Sequence, residues 1–183
     1  MAVAEPWQKA EIPGPKRAMV VTKPEIIAAM AKRAKHPILI VGYLAAETSL
    51  ERKKLIDYMI QFAEKGRIPV VATAQTVKEF LKRKFKPAGS MPAVDIGNRL
   101  TDPKWLGIDG KGPHDLAFFA GLPYYMEWTI LSGLKHYAPH LKTITLDNLY
   151  HPHASWSFAN ISHKDLAENL KVIIEQLENG EKQ

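Results

Sequence analysis

Two spacings of apolar residues alternate along the chain. Residues 38–41, 68–72, 116–120 and 143–146 are short, nearly continuous apolar runs rich in β-branched or aromatic side chains. Runs apolar on both faces fit strands of a parallel sheet covered by helices on each side. Between them, apolar residues recur at helical spacing: Leu55, Met59, Phe62 and Ala63 ahead of Gly66, then Leu166, Leu170, Ile173 and Leu177 ahead of Asn179 and Gly180. Four hydroxyl residues stand three positions before an acid, as in a capping box: Thr22 with Glu25, Thr48 with Glu51, Thr76 with Glu79, and Ser162 with Asp165. Each pair predicts a helix start. The alternation predicts a Rossmann-like three-layer α/β/α domain with a mostly parallel sheet and right-handed crossovers.

Two segments break the rhythm. Residues 5–21 hold Pro6, Pro13 and Pro15 with little helical periodicity, so residues 1–21 are expected to form an extended arm and residues 22–183 a single domain. Trp7 supplies the arm with the large apolar area that interface anchors use, so the arm is expected to dock on a partner. Residues 85–115 are rich in Gly and Pro, with one short helix expected near 93–100. A loop of that length in a compact domain is usually functional or wrapped against something.

Composition narrows the chemistry. The chain has 183 residues, enough for one sizeable core but cramped for two. It has no cysteine, which removes disulfides, thiolate nucleophiles and the usual ligands of iron–sulfur clusters and structural zinc. No run approaches the roughly 20 apolar residues of a membrane span, and the N-terminus lacks a signal-peptide core; a cytoplasmic protein is expected. The net charge of +6 suits an acidic partner, a nucleic acid or plain solubility. The most basic segment, residues 78–86, reads as an amphipathic helix with Lys78, Lys82 and Lys86 outward. No nucleic-acid module surrounds it.

Ligands of open parallel sheets sit outside the carboxyl ends of the strands. Those ends offer Gly42 and Tyr43, Gln75 and Thr76, Gly121 to Tyr125 including Tyr124, and Asp147 with Asn148. Asp147 stands where an acid can hold a ribose hydroxyl. The turn after the first run has only Gly42, however, and lacks the further glycines of a dinucleotide fingerprint. Five histidines, His136, His140, His151, His153 and His163, fall in the last third. Pro139 disfavours a helix across His136 and His140, and His151 and His153 should point apart around Pro152. With no carboxylate at a recognised spacing, all five are read as loop or surface residues and no metal ligand is assigned. No nucleophile stands beside a base in a recognised motif, and no catalytic residue is assigned.

Residues 115–162, "DLAFFAGLPYYMEWTILSGLKHYAPHLKTITLDNLYHPHASWSFANIS", together with "HPILIVG" and "PVVATA", resemble the epsilon subunits of archaeal acetyl-CoA decarbonylase/synthase complexes. The likeness runs over nearly the whole chain. It implies a fold similar to the FAD- or NAD-binding middle domain of thiamine-diphosphate enzymes. It implies a small accessory subunit, in pairs with pairs of a large alpha subunit that carries nickel–iron–sulfur carbon monoxide dehydrogenase chemistry, among other subunits of the complex. Its proposed roles are stabilising alpha or helping electrons reach FAD. On the FAD reading, Gly42 and Gly121 match the phosphate turns and Asp147 the ribose acid, with Tyr43 and Tyr124 beside them. Neither nucleic acid nor membrane is an expected partner.

Overall fold

The computed structural model describes residues 17–73 and 75–179. In chain order the elements are β1 (Met19–Val20), α1 (Glu25–Arg33), β2 (Pro37–Val41), α2 (Leu44–Glu47), β3 (Ser49–Leu50), β4 (Lys53–Lys54), α3 (Leu55–Gly66), β5 (Val70–Ala72), α4 (Thr76–Lys82), β6 (Gly89–Ser90), α5 (Ala93–Thr101), β7 (Leu116–Ala120), α6 (Tyr124–Tyr137), β8 (Lys142–Thr145), β9 (Trp156–Ser157) and α7 (His163–Asn179). Seven strands form one sheet in the order β1-β9-β8-β7-β2-β5-β6, and every pairing in it is parallel. β3 and β4 make a separate antiparallel hairpin.

Alternating residues of the central strands feed two cores. Leu39, Val41, Val70, Ala72, Phe118 and Ala120 face the layer of α1, α3 and α7, where Phe62 meets Phe118 edge-on at 4.9 Å. Ile38, Ile40, Val71, Ala117 and Phe119 face α5 and α6. Burial on both faces explains why these strands read as unbroken apolar runs, and the three-layer expectation is met.

Three of the four expected caps are not made. The pair Ser162 and Asp165 closes as expected, with the Asp165 amide donating to Ser162 Oγ at 3.1 Å and the Ser162 amide donating to Asp165 Oδ2 at 3.4 Å. At Thr22 the helix starts later, behind Pro24, whose fixed φ of −62° leads straight into Glu25 with no side-chain cap. At Thr48 the helix is displaced to Leu55. The Thr48 amide instead closes α2 onto the Leu44 carbonyl at 2.7 Å, Leu50 turns fully into the core, and Glu51 takes a φ of +53° to reverse the hairpin. The cap on α3 is then Asp57, which accepts the Lys54 amide at 2.9 Å. At Thr76 the hydroxyl is buried with no hydrogen-bond partner, and Gln75 stands at the N-cap.

The inner end of the expected arm joins the sheet. Past Pro15 the amides are available again: Ala18 donates to Pro152, Met19 to Ser155 and Val21 to Ser157, and β1 becomes the edge strand beside β9. The rest of the arm, residues 1–16, lies outside the described residues, as does Gly180. The short helix expected in the long loop is α5, which packs against α6.

The strand order reverses at β2, which has β5 on one side and β7 on the other. The turns after β2 and β7 meet there without side chains between them. A Cβ on Gly42 would lie 2.2 Å from the Gly121 carbonyl oxygen, and a Cβ on Gly121, whose φ is +68°, would lie 2.4 Å from the Ala45 nitrogen. Hydrogen bonds fasten the two turns: Gly42 N–H to Ala120 O at 2.8 Å and Leu44 N–H to Gly121 O at 3.0 Å.

Gly42→Ala is therefore expected to destabilise the domain by about 3 kcal/mol, because the obstructing atoms are backbone and cannot turn aside. Gly133→Ala, in α6 with open space around it, is expected to stabilise by about 0.5–1 kcal/mol through helix propensity alone. Urea unfolding of both variants checks the pair; equal effects would mean that the two turns have room to part.

Candidate functional site

The five residues expected from sequence stand at the same end of the sheet. Gly42 and Tyr43 follow β2, Gly121 and Tyr124 follow β7, and Asp147 follows β8 by two residues. Three of them, Gly42, Gly121 and Asp147, contact one another. Gly42 and Gly121 use their lack of side chains to approach one another, and the Gly121 amide donates to the Asp147 carboxylate at 3.0 and 3.1 Å. Tyr124 donates its hydroxyl to the Tyr150 carbonyl at 3.1 Å, while Tyr43 is 40% exposed beside the turn.

Two residues that the sequence reading left out complete this end of the sheet. Glu127 lies in the first turn of α6, the stretch that also presents Tyr124, and its side chain has no exposed surface. As a carboxylate it has no donor for either oxygen; with a proton it can donate to Asp147. His151 follows β8 through the 146–150 turn and is 2% exposed, with Nε2 3.7 Å from Glu127 Oε1. Donor atoms of Glu127, Asp147 and His151 all lie within 4.8 Å of one another.

The surroundings hold this group in place. Asp147 is oriented by the Gly121 amide, and Tyr124 stacks on the His151 ring with centroids 4.4 Å apart and planes 26° apart. The His151 amide donates to Ser157 Oγ at 3.0 Å, and that hydroxyl also accepts from Thr145 at 2.8 Å and donates to the Phe158 carbonyl. His153 is buried too, at 6% exposed, with Trp128 edge-on at 4.6 Å. His151 and His153 thus lie in a loop, as one half of the expectation had it, but neither is at the surface. The chain turns at Pro152 against α6, and the two rings take different neighbours inside the fold, Tyr124 for one and Trp128 for the other.

Burial sets the protonation of the group. Desolvation, aided by the neighbouring Asp147 charge, raises the Glu127 carboxyl well above its ordinary 4.5. Asp147 is pushed up to about 6, chiefly by desolvation, against which the Gly121 amide stabilises its charge. His151 is pushed down to about 4 by desolvation and by His153. Burial thus favours the protonated form of Glu127 and the neutral form of His151, while the Gly121 amide favours the ionised form of Asp147.

No spacing motif announces this set, because its members come from a helix start and two positions in a strand-end loop. A compositional signal did exist. Glu127 is the one charged residue between Asp115 and Lys135, set among aromatic and aliphatic side chains, and a lone acid in so apolar a stretch must either reach water or find a use inside.

Comparison with known proteins adds the lineage. Residues 2–177 match the family model described as CO dehydrogenase beta subunit/acetyl-CoA synthase epsilon subunit. The chain belongs to this family. It is 41% identical over 158 residues to the acetyl-CoA decarbonylase/synthase complex subunit epsilon of Methanothermobacter thermautotrophicus, covering 85% of this chain and 86% of that one. It is 38% identical over 165 residues to subunit epsilon 1 of the corresponding complex of Archaeoglobus fulgidus, covering 89% and 85%. A subunit epsilon from Methanothrix soehngenii is 34% identical, covering 86% and 81%. The resemblance read from residues 115–162 is thereby confirmed at the level of family. Among the described residues no helix is long and apolar enough to cross a membrane.

The two acids predict a pH signature. Glu127 keeps its proton in the fold and releases it on unfolding, so it makes stability fall as pH rises above about 4.5, by up to about 1.4 kcal/mol per unit. Asp147 acts in the same direction between its ordinary 3.8 and about 6. His151 is neutral in the fold and protonated when unfolded, so between about 4 and its ordinary 6.5 it makes stability rise with pH and offsets Asp147. The decline above pH 6.5 is therefore left to Glu127. Glu127→Gln should flatten that decline and raise the thermal midpoint at pH 8, measured with chelator present to keep stray cations off the carboxylates. An unchanged decline would assign it to other groups.

Proposed function

We propose that this chain is a non-catalytic accessory subunit of an acetyl-CoA decarbonylase/synthase complex, bound to the large alpha subunit that oxidises carbon monoxide and stabilising it. The reading rests on one observation, the family membership that runs from residue 2 to residue 177 with relatives named as epsilon subunits covered over four fifths or more of their length. Composition supports it. A chain with no cysteine lacks the ordinary ligands of iron–sulfur clusters, so in this reading carbon monoxide chemistry belongs to the larger subunit.

The surface at the carboxyl end of the sheet suits a partner. Tyr125, near the start of α6, is 71% exposed, and Leu149 at 45% and Tyr43 at 40% project from the segments after β8 and β2. Large aromatic groups held on a rigid edge contribute most to binding when a partner excludes water from them. In the proposal this edge meets the alpha subunit.

Co-expression with the alpha subunit tests the reading. The two chains are expected to co-elute in equal amounts, and the half-life of carbon monoxide oxidation at elevated temperature should lengthen when this chain is present. Tyr125→Glu should weaken association by about 30-fold or more, the cost of one interface hot spot, while the lone domain keeps its thermal midpoint. Separate elution of the wild-type chains would overturn the proposal, and co-elution unaffected by Tyr125→Glu would move the contact to another face.

A further inference from the structure

We infer that Glu127, Asp147 and His151 form a binding site for one divalent transition-metal ion of the zinc type. The three donors come from separate places, the first turn of α6 and two positions of the segment after β8, and converge within 4.8 Å. Two ligands at ordinary bond lengths of about 2.1 Å from one ion are at most about 4.2 Å apart. The 3.7 Å between His151 Nε2 and Glu127 Oε1 would then subtend an angle of about 120° at the ion, close to tetrahedral. A tetrahedral pair at that bond length is about 3.4 Å apart, so donors separated by as much as 4.8 Å close by up to about 1.4 Å when the ion binds.

A second observation separates this group from an incidental cluster of acids. Glu127 is fully buried, faces the other two residues, and as a carboxylate finds no hydrogen-bond donor for either oxygen; its one polar neighbour there is Asp147, which it can meet only by keeping a proton. A buried polar atom left without a partner costs about 1–3 kcal/mol, and nearly all such atoms in native folds are paired with protein, water or an ion. Another histidine and acid group among the described residues shows the contrast. His36 Nε2 bonds Asp109 at 2.8 Å, and His114 Nδ1 bonds the His36 carbonyl at 2.9 Å, so those donors are already used.

Charge and ligand type select the ion. Two carboxylates and one neutral imidazole balance a 2+ charge, so the ion takes the place of the proton that Glu127 otherwise holds beside Asp147. A mixed nitrogen and oxygen set favours zinc-like ions over calcium or magnesium, which prefer oxygen alone. The Gly121 amide on Asp147 and the Tyr124 ring on His151 supply the outer support that metal ligands ordinarily have. Three protein ligands leave a coordination position for water or for a group from another molecule. Asp147 and Asn148, partly exposed at the rim, provide the way in.

The test uses the full chain, stripped with chelator and titrated with Co2+ while its visible absorption is followed, then with Zn2+ as competitor. One Co2+ per chain with intense tetrahedral bands, displaced by Zn2+, is expected. Glu127→Gln and His151→Gln should each weaken binding by more than about 100-fold, beyond what loss of an outer-shell partner costs, and His36→Gln should leave it unchanged. Glu127→Gln keeps the shape of the side chain, and its folding is checked by thermal melting before titration. Absence of stoichiometric binding would overturn the inference, and so would binding that persists in both ligand variants.

Discussion

Contact between two glycine turns governs how this end of the molecule is built. Because neither Gly42 nor Gly121 carries a Cβ, the loops after β2 and β7 close on each other by backbone hydrogen bonds at the point where the strand order reverses. Open parallel sheets generally leave that point ajar, and ligands occupy it. Here backbone fills it. The Gly121 amide meanwhile donates to Asp147, so the turn that closes one crevice also fixes a carboxylate in the next, between β7 and β8.

That shift explains why a nucleotide-style turn can lack the glycines of a dinucleotide fingerprint and yet keep one. In a phosphate-binding turn, glycines make room for an outside anion. At Gly42 the room is taken by Gly121, and Tyr43, Leu44 and Ala45 can follow without obstructing anything. α2 is then only a short helix, and the hairpin of β3 and β4 carries the chain on to α3. Leu50, fully buried at the tip of that detour, gives the hairpin a packing reason to exist.

The layer plan was legible because burial on both faces of a parallel sheet leaves a mark that few other arrangements leave. Ile38 to Val41 and Leu116 to Ala120 had no polar alternation to confuse them, and the cap at Ser162 was local and exposed. What escaped was set by contacts remote in sequence. A threonine followed by an acid looks the same at Thr48 as at Ser162, and only the demand of Leu50 for the core decides between them. The two-residue strands β1, β6 and β9 are too short to carry a period. Histidines beside a proline look exposed until α6 is laid over them. Glu127 was visible as an isolated acid, but its partners could be found only after the fold had brought the segment following β8 beneath the first turn of α6.

Keeping Glu127 inside has a cost that packing alone does not explain. A glutamine of the same shape, or a leucine, would fill the space without a carboxyl to neutralise, and replacement of buried charged groups by apolar ones is commonly neutral or stabilising. The surrounding structure is also unusually well prepared: Asp147 is held by an amide, the His151 ring by Tyr124, and the His151 backbone by a serine that is itself bonded to Thr145. A fold that merely tolerated a stray acid would have no cause to order its neighbours on three elements. Placement of Glu127, Asp147 and His151 together at the edge that also exposes Tyr125 and Leu149 fits a site whose last ligand, or whose purpose, arrives from outside the chain.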